Sequence, residues 1–374
     1  MKKSVVFLIL FVFSFGLYLY SAPPGLVAYR DAGEMVTVSK TLGIAHPPGY
    51  PLYALLGKLA SRFPLGNIGY RTNLISIISG ALTVSLCFLC LSYLIDLGSG
   101  LITALFLSSA YLHWYLSIVQ EMYSLNAFFV LLLVFILLNY QLLTVNYQLI
   151  YLFSFLLGLA LGNRMDLVLV LPGFFYLWWK SLSKEQRAKS QERRSLLCSM
   201  LYALCFFILG FSVYLYLPIR SGTVPLLDWN HPANLERLWA TISRKTHGGT
   251  LDLLSRGYSA GENFFPSILF YLGHLAKEFF YLGLPLGIFG LYSLFRKNRP
   301  LAIATFITYL VSGPFFIYLS NLPPNPHALA ILEAHFLLPN LFFLLWMGAG
   351  VYSLGRTAKF FILPFIILNF VFHY

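Results

Sequence analysis

An all-α polytopic membrane protein is the fold class this sequence predicts, and three observations predict it. Of 374 residues, 59% are hydrophobic and only 10% are charged, whereas a soluble globular chain carries about 25% charged residues. Apolar runs recur at about 17–25 residues, the length a helix needs to cross a bilayer. These runs are unbroken, which excludes a transmembrane β-barrel, whose strands alternate apolar and polar residues over about ten positions. Basic residues also gather in alternate turns: Lys2 and Lys3, Lys180–Arg194, Arg296–Arg299, and Arg356 with Lys359. All four groups fall on one side if the N-terminus is cytoplasmic, as the positive-inside rule requires.

Taken in order, the sequence predicts about 11 transmembrane helices. The first covers Ser4–Tyr20; the Ser21-Ala22-Pro23-Pro24 that follows is a poor cleavage site, so the helix is expected to stay uncleaved. The first outer loop is 22–71, and within it Ala32–Leu42 and Tyr50–Phe63 have the spacing of short interfacial helices, separated by Pro47-Pro48-Gly49. Further helices are expected near Thr72–Leu94, Leu101–Val119, from the outer turn Gln120–Tyr123 on to about Leu143, Leu149–Leu161 and up to Trp179. Lys180–Arg194 then reads as a cytoplasmic loop, and Leu196–Leu217 as the next span. The second outer loop is 218–263, followed by a surface or partly embedded helix at Phe264–Phe280 leading into a span that ends near Phe295. Another span reaches Leu319, the third outer loop is 321–335, a tenth helix ends near Leu354, and a short helix closes the chain. The whole, 1–374, is one transmembrane domain.

The formal charge is +12, and thirteen of the 25 basic residues sit in the cytoplasmic turns. The other twelve lie on the outer face, where the positive-inside rule gives them no reason to be. The first outer loop alone holds Arg30, Lys40, Lys58, Arg62 and Arg71, which suggests an anionic ligand there. No basic tract interleaves with aromatics, so nucleic-acid binding is not supported. The four cysteines, Cys87, Cys90, Cys198 and Cys205, all fall in apolar runs and read as small packing residues.

Five constellations carry chemistry. Asp31 and Glu34 are three apart and share a helix face. Such a pair suits a general base, a Mg²⁺ or Mn²⁺ site, or simply an N-terminal cap. His46 precedes Pro47-Pro48-Gly49, a stiff turn that aims the imidazole or serves structure alone. Arg71, Arg164, Arg220, Arg244 and Lys245 are outer basic residues suited to phosphate. Snorkelling is their other use. Glu121 is a lone acid between two spans, set to partner an Arg or to face an acceptor. In the second outer loop, Asp228 and the stretch from Leu235 to Lys245 form a polar segment with Trp229 and Trp239, suited to an interfacial belt or to stacking on a sugar. Phosphate-loop, zinc-protease and serine-hydrolase motifs are absent from the sequence.

Asp31-Ala32-Gly33-Glu34, Leu42–Tyr53 (LGIAHPPGYPLY) and Pro64–Ser76 (PLGNIGYRTNLIS) together resemble a large bacterial domain-of-unknown-function family of polytopic membrane proteins. Its eukaryotic relatives include the transmembrane O-mannosyltransferase of IPT domains. The resemblance continues at Glu121–Asn126, Gly158–Asn163, Leu217–Ser221 and Asp228 through Lys245. It departs at Arg164, where the family pattern has His after Gly-Asn. A long C-terminal soluble region, present in some relatives, is not expected here.

The resemblance implies a GT-C glycosyltransferase fold. It also implies inverting transfer of a sugar, mannose among the candidates, from a polyprenyl-phosphate donor to an acceptor hydroxyl of a protein, lipid or glycan. Asp31 would be the catalytic acid–base residue and Glu34 its partner. His46, Arg71, Glu121, Arg164, Arg220, Asp228, Arg244 and Lys245 would serve substrate and leaving phosphate. No cofactor is required beyond the Mg²⁺ or Mn²⁺ that the acidic pair could hold. The implied setting is a bacterial inner membrane, with the active site on the outer face. The rival reading is a transporter or flippase of a lipid-linked anion. Transporters place ionisable groups near mid-membrane between repeats, and neither feature is visible in the sequence.

Overall fold

In lipid every backbone polar group must be satisfied within the segment, so apolar runs become helices. The computed structural model describes residues 2–142, 147–188, 193–247, 257–354, 359 and 362–373. Helix α1 is Lys3–Ser21, and the short α2 (Ala32–Thr41) and α3 (Pro51–Ala60) follow in the first loop. Next come α4 (Ile68–Leu94), α5 (Leu97–Ser109), α6 (Tyr111–Ser117), α7 (Tyr123–Leu142), α8 (Tyr147–Leu161), α9 (Leu171–Ala188) and α10 (Arg193–Phe211). The second loop carries α11 (Tyr216–Ser221) and α12 (Leu235–Ile242). The rest is α13 (Phe264–Glu278), α14 (Gly283–Lys297), α15 (Arg299–Leu310), α16 (Phe316–Ser320), α17 (Pro326–Glu333), α18 (Leu337–Ser353) and a last helix, Leu363–His373.

Five stretches among the described residues are each long and apolar enough to cross a bilayer: Lys3–Ser21, Ile68–Leu94, Cys198–Ser221, Arg299–Ser320 and Pro326–Ser353. Helices α13 and α14 pass together but bend by 97°. That bend sets α13 apart from the helix that follows it. Shorter apolar helices at Leu97–Ser109, Tyr123–Asn139 and Tyr147–Leu161 complete the middle of the body. The expected third span, Leu101–Val119, is divided: α5 stops at Ser109, Ala110 is extended, and α6 restarts. Lys180–Arg194 is more helical than a loop, with α9 reaching Ala188 and α10 starting at Arg193. Residues 189–192, Arg356 and residues 248–256 of the second loop lie outside the described residues.

Helices α4 and α18 form the buried centre, while α1 and α10 expose most of their apolar surface. Without a hydrophobic force between helices in lipid, close backbone approach supplies the packing. A Cβ on Gly290 of α14 would fall 1.7 Å from the Trp346 carbonyl oxygen, and one on Gly350 of α18 would fall 2.1 Å from that of Leu286. The α8–α10 pair is equally tight: a Cβ on Gly158 would lie 2.3 Å from the Phe207 carbonyl oxygen.

The loops at one end of the bundle are tied together. Gln120 donates to the carbonyls of Gly25 and Gly69 at 3.0 and 3.1 Å. Leu52 N–H donates to Gly162 at 3.1 Å, and Ile44 N–H to Leu227 at 2.7 Å, within a parallel bridge between Ile44 and Asp228. The first loop is therefore clamped by the 118–122 turn, by the end of α8 and by the second loop.

Candidate active site

Asp31 occupies the N-cap position of α2, but its side chain makes no capping hydrogen bond. The capping use of this carboxylate is thus not realised, and the group is left for other chemistry. Asp31 is held by its main chain instead: its N–H donates to Glu121 Oε1 at 2.9 Å. One helical turn on, Glu34 grips His46 twice. His46 N–H donates to Glu34 Oε1 at 2.9 Å, and Nδ1–H donates to Oε2 at 2.5 Å. With Nδ1 carrying the proton, Nε2 accepts from the Tyr50 hydroxyl at 3.1 Å and lies 3.8 Å from Asp31 Oδ2. The turn that aims the imidazole contains a cis Pro47–Pro48 bond, then Gly49 at φ +92° and Tyr50 at φ +44°. Gly49 is fixed by its left-handed backbone and by Leu217, 2.9 Å from where a Cβ would stand.

Asp31, Glu34 and His46 each offer a ligand atom within 4.8 Å of the others. The pair closest together, Glu34 Oε2 and His46 Nδ1, is already closed at 2.5 Å by a hydrogen bond. Cation ligands at about 2.0–2.1 Å from Mg²⁺ in an octahedron stand about 3 Å apart. As arranged, Glu34 and His46 share a proton, and the three residues together are the group among the described residues that could hold a divalent ion.

Glu121 lies in the turn between α6 and α7, outside the spans, and is fully buried. Burial pushes its carboxyl up to about 8, the nearby Asp31 charge adds to this, and Arg30 and Arg164 oppose it. Its Oε1 receives the Asp31 N–H, so the acid partners the first outer loop through the backbone.

Three guanidiniums gather opposite the acids. Arg164 is buried and pairs with Asp166 (2.8 and 2.9 Å). It also donates to His335 Nε2 at 3.1 Å and covers the Tyr123 ring at 4.0 Å. Arg30 covers the same ring at 5.2 Å. Arg164 and Arg244 both act electrostatically on the buried Tyr50 hydroxyl, whose acidity burial suppresses. Arg30 and Arg244 share an unusual pattern. Each has a left-handed backbone, φ +39° and +57°, at a cost of about 1–2 kcal/mol. Each also has a buried guanidinium nitrogen, Nη1 of Arg30 and Nε of Arg244, with no hydrogen-bond partner. An unmet buried donor of a charged group is costly, so the pattern is that of a site built to take an anion.

Three expected site residues have structural partners, and a fourth, Lys245, lies exposed. Each of the three nitrogens of Arg71 donates to a main-chain carbonyl, those of Leu65, Ser61 and Gly66, at 2.8, 3.3 and 2.8 Å. Arg71 therefore shapes the turn after α3, with all three of its nitrogens engaged by carbonyls. Arg220 donates to the carbonyls of Leu42 and Thr41 at 2.8 and 3.3 Å, capping the C-terminus of α2. Asp228 accepts from Ser221 and His231 at 3.0 and 2.6 Å and braces the second loop. Lys245 is exposed beside Arg244. Conversely, Arg30, Tyr50, Tyr123 and His335 line the site without having been singled out. Arg30 had a signal, since it precedes Asp31 directly in a loop with surplus positive charge.

The helical body and the loop-borne site define a polytopic membrane protein of the GT-C-like fold. In fold, the chain is similar to ArnT from Cupriavidus metallidurans bound to undecaprenyl phosphate. The TM-score is 0.62 at 14% identity, covering 98% of this chain and 63% of that one. For the apo state of ArnT the TM-score is 0.64, covering 97% and 63%. In sequence, residues 31–188 match the family model of the Protein O-mannosyl-transferase TMEM260 N-terminal domain. The Dictyostelium discoideum Protein O-mannosyl-transferase tmem260 is 26% identical over 384 residues, covering 95% of this chain and 45% of its own. The Mus musculus Protein O-mannosyl-transferase TMEM260 is 32% identical over 200 residues, covering 51% and 27%. The chain thus spans less than half the length of these curated relatives. The matched region contains Asp31, Glu34, His46, Glu121 and Arg164.

Proposed function

We propose that this chain is a membrane glycosyltransferase that moves a sugar, mannose by analogy with its relatives' names, from a polyprenyl-phosphate donor to an acceptor hydroxyl. The observation that carries the reading is the uncapped Asp31 carboxylate set against three arginines, two of them with unmet buried donors. Asp31 takes the acceptor proton. The acceptor oxygen attacks the anomeric carbon from the face opposite the phosphate. The bond from that carbon to the phosphate oxygen breaks, and its electron pair leaves with the polyprenyl phosphate, so configuration inverts. Arg30, Arg164 and Arg244 meet the charge that develops on the leaving phosphate, a preorganised electrostatic role. Glu34 and His46 hold the loop and Tyr50, and no step is assigned to a divalent ion.

The relatives' names, and ArnT's bound undecaprenyl phosphate, support the donor class. The distribution of basic turns supports a cytoplasmic N-terminus and an outer-face site, and the resemblance to a bacterial family supports an inner membrane as the setting. The test is transfer by the purified protein from radiolabelled polyprenyl-phosphate mannose to added acceptor. Release of labelled product is expected. Uptake of the lipid-linked label by proteoliposomes without any transfer would overturn the reading in favour of a transporter.

A further inference from the structure

A second polar cavity lies where the start of α6, the end of α13 and the end of α17 meet. Its volume is about 390 Å³, and Tyr111, Phe270, His274, Lys277, Glu278 and Glu333 line it. That size is within the range of small-ligand sites, roughly 300–1,000 Å³. The mechanism above uses none of these residues.

The charged groups are arranged, not scattered. Glu278 is 3% exposed, and its two oxygens take the Leu112 N–H at 3.0 and 3.2 Å, which fixes the carboxylate against α6. His274 Nδ1 meets Glu333 Oε1 at 3.2 Å. Its Nε2 stands 3.6 Å from Glu278 Oε2, beyond hydrogen-bond range, and is buried without a hydrogen-bond partner, although the side chain is only a tenth exposed. A buried ring nitrogen with no partner on a cavity wall points to a polar ligand.

A row of aromatic rings runs from the cavity toward the first outer loop. The Tyr111 ring stacks on Tyr115 at 5.7 Å, and Tyr115 meets Tyr29 edge-on at 5.0 Å. Tyr29 is two residues before Asp31. Two ring-to-ring steps therefore lead from the cavity to Tyr29, close in sequence to Asp31.

The composition selects the ligand. Two carboxylates, an ammonium and an imidazole leave the cavity close to neutral, so it does not sort ligands by net charge. With no surplus positive charge, it has no particular hold on a lipid phosphate, which has three arginines elsewhere. Carboxylate acceptors, Lys and His donors and two aromatic faces, Tyr111 and Phe270, are what a ring of hydroxyls with one apolar face requires. We propose that this cavity is an acceptor subsite holding a neutral sugar ring of a glycan acceptor, with the Tyr111–Tyr115–Tyr29 row leading the reacting end to Asp31. The proposal rests on the reading of the chain as a sugar transferase, and it makes the acceptor a glycan.

The experiment is binding of fluorescently labelled neutral oligosaccharides, with a Ser/Thr-rich peptide carrying the same label as comparison, to the full chain in nanodiscs. The chain carries Asp31→Asn, so no turnover intervenes, and donor-dependent transfer by the unaltered chain is measured separately. At least one oligosaccharide should bind. Glu333→Gln and Lys277→Met should each weaken it tenfold or more without moving the melting temperature. Glu278→Gln is a poorer variant because that carboxylate also fixes α6. Failure of every oligosaccharide to bind, binding that neither variant changes, or peptide binding lost in the same variants would overturn the glycan subsite. Transfer without oligosaccharide binding sinks the subsite alone, whereas variant-sensitive binding without any transfer sinks the transferase reading and leaves the cavity a sugar site.

Discussion

The main-chain N–H of Asp31 donates to the carboxylate of Glu121 at 2.9 Å, joining residues 90 apart in sequence. This bond separates two tasks that one residue often has to combine. The backbone of Asp31 is anchored to a buried acid, and its side chain, free of capping, is left to face substrate. A general base needs a fixed position and an uncommitted carboxylate, and the pair supplies both.

Asp31→Asn should therefore abolish transfer while leaving the fold intact. The carboxamide keeps the size and the backbone bond but cannot take the acceptor proton. A loss of about 10²–10⁴ in rate is the scale of a missing general base, and a stability change within about 0.5 kcal/mol is the scale of a side chain without structural bonds. Labelled-sugar transfer and thermal melting in detergent measure the two. Transfer within threefold of the unaltered chain would remove Asp31 from the reaction.

The arginines divide by what their donors meet. Arg244→Lys removes a fork whose Nε has no partner in the protein. It should weaken binding of the polyprenyl-phosphate donor about tenfold or more, since a lysine is a point charge without planar donors. Arg71→Lys strips hydrogen bonds from the turn carbonyls of Ser61, Leu65 and Gly66. It should cost about 0.5–1.5 kcal/mol of stability with donor affinity unchanged once folded. Donor titration and melting on the same two variants decide it; an equal loss of donor affinity in both would erase the distinction.

The membrane class and most of the helical body were legible because apolar length and the positive-inside bias act locally. The short helices of the first loop were legible too, bounded by Asp31 and the Pro47-Pro48-Gly49 break, and α2 and α3 fall there. The break at Ala110 was not, because α5, Ala110 and α6 form one apolar run. Within the site, Asp31, Glu34 and His46 could be named from one stretch, and they meet. The arginines could not be sorted from sequence. Arg71, Arg220 and Arg244 are alike in composition and loop position, and only the tertiary hydrogen bonds show that the first two serve carbonyls. Tyr123 and His335 were hidden for a different reason: an aromatic or imidazole at a helix end reads as interfacial until Arg164 is found on it.

Glu34→Gln tests whether the acidic pair holds a proton or an ion. The variant weakens the grip on His46 Nδ1 and on its N–H. The loop should loosen, with transfer reduced about ten- to a hundredfold, the penalty of a misplaced reacting group. Excess EDTA should leave transfer by the unaltered chain unchanged, because a proton closes the Glu34–His46 contact. Loss of transfer on chelation, restored by Mn²⁺ or Mg²⁺, would reverse the assignment.

Glu121 makes the stability of the site depend on pH, and the sign is fixed. Burial raises its folded-state value to about 8, above the ordinary carboxyl value of 4.5. Between those limits the folded state holds a proton that the unfolded chain has lost. Stability then falls as pH rises through that window, by at most about 1.4 kcal/mol per pH unit for one proton. Glu121→Gln keeps an oxygen to accept the Asp31 N–H and carries no titrating proton. Its melting temperature should be flatter between pH 5 and 8 than that of the unaltered chain, and higher at pH 8. Melting curves in detergent across that range make the comparison, and parallel curves for the two proteins would show that Glu121 is ionised throughout.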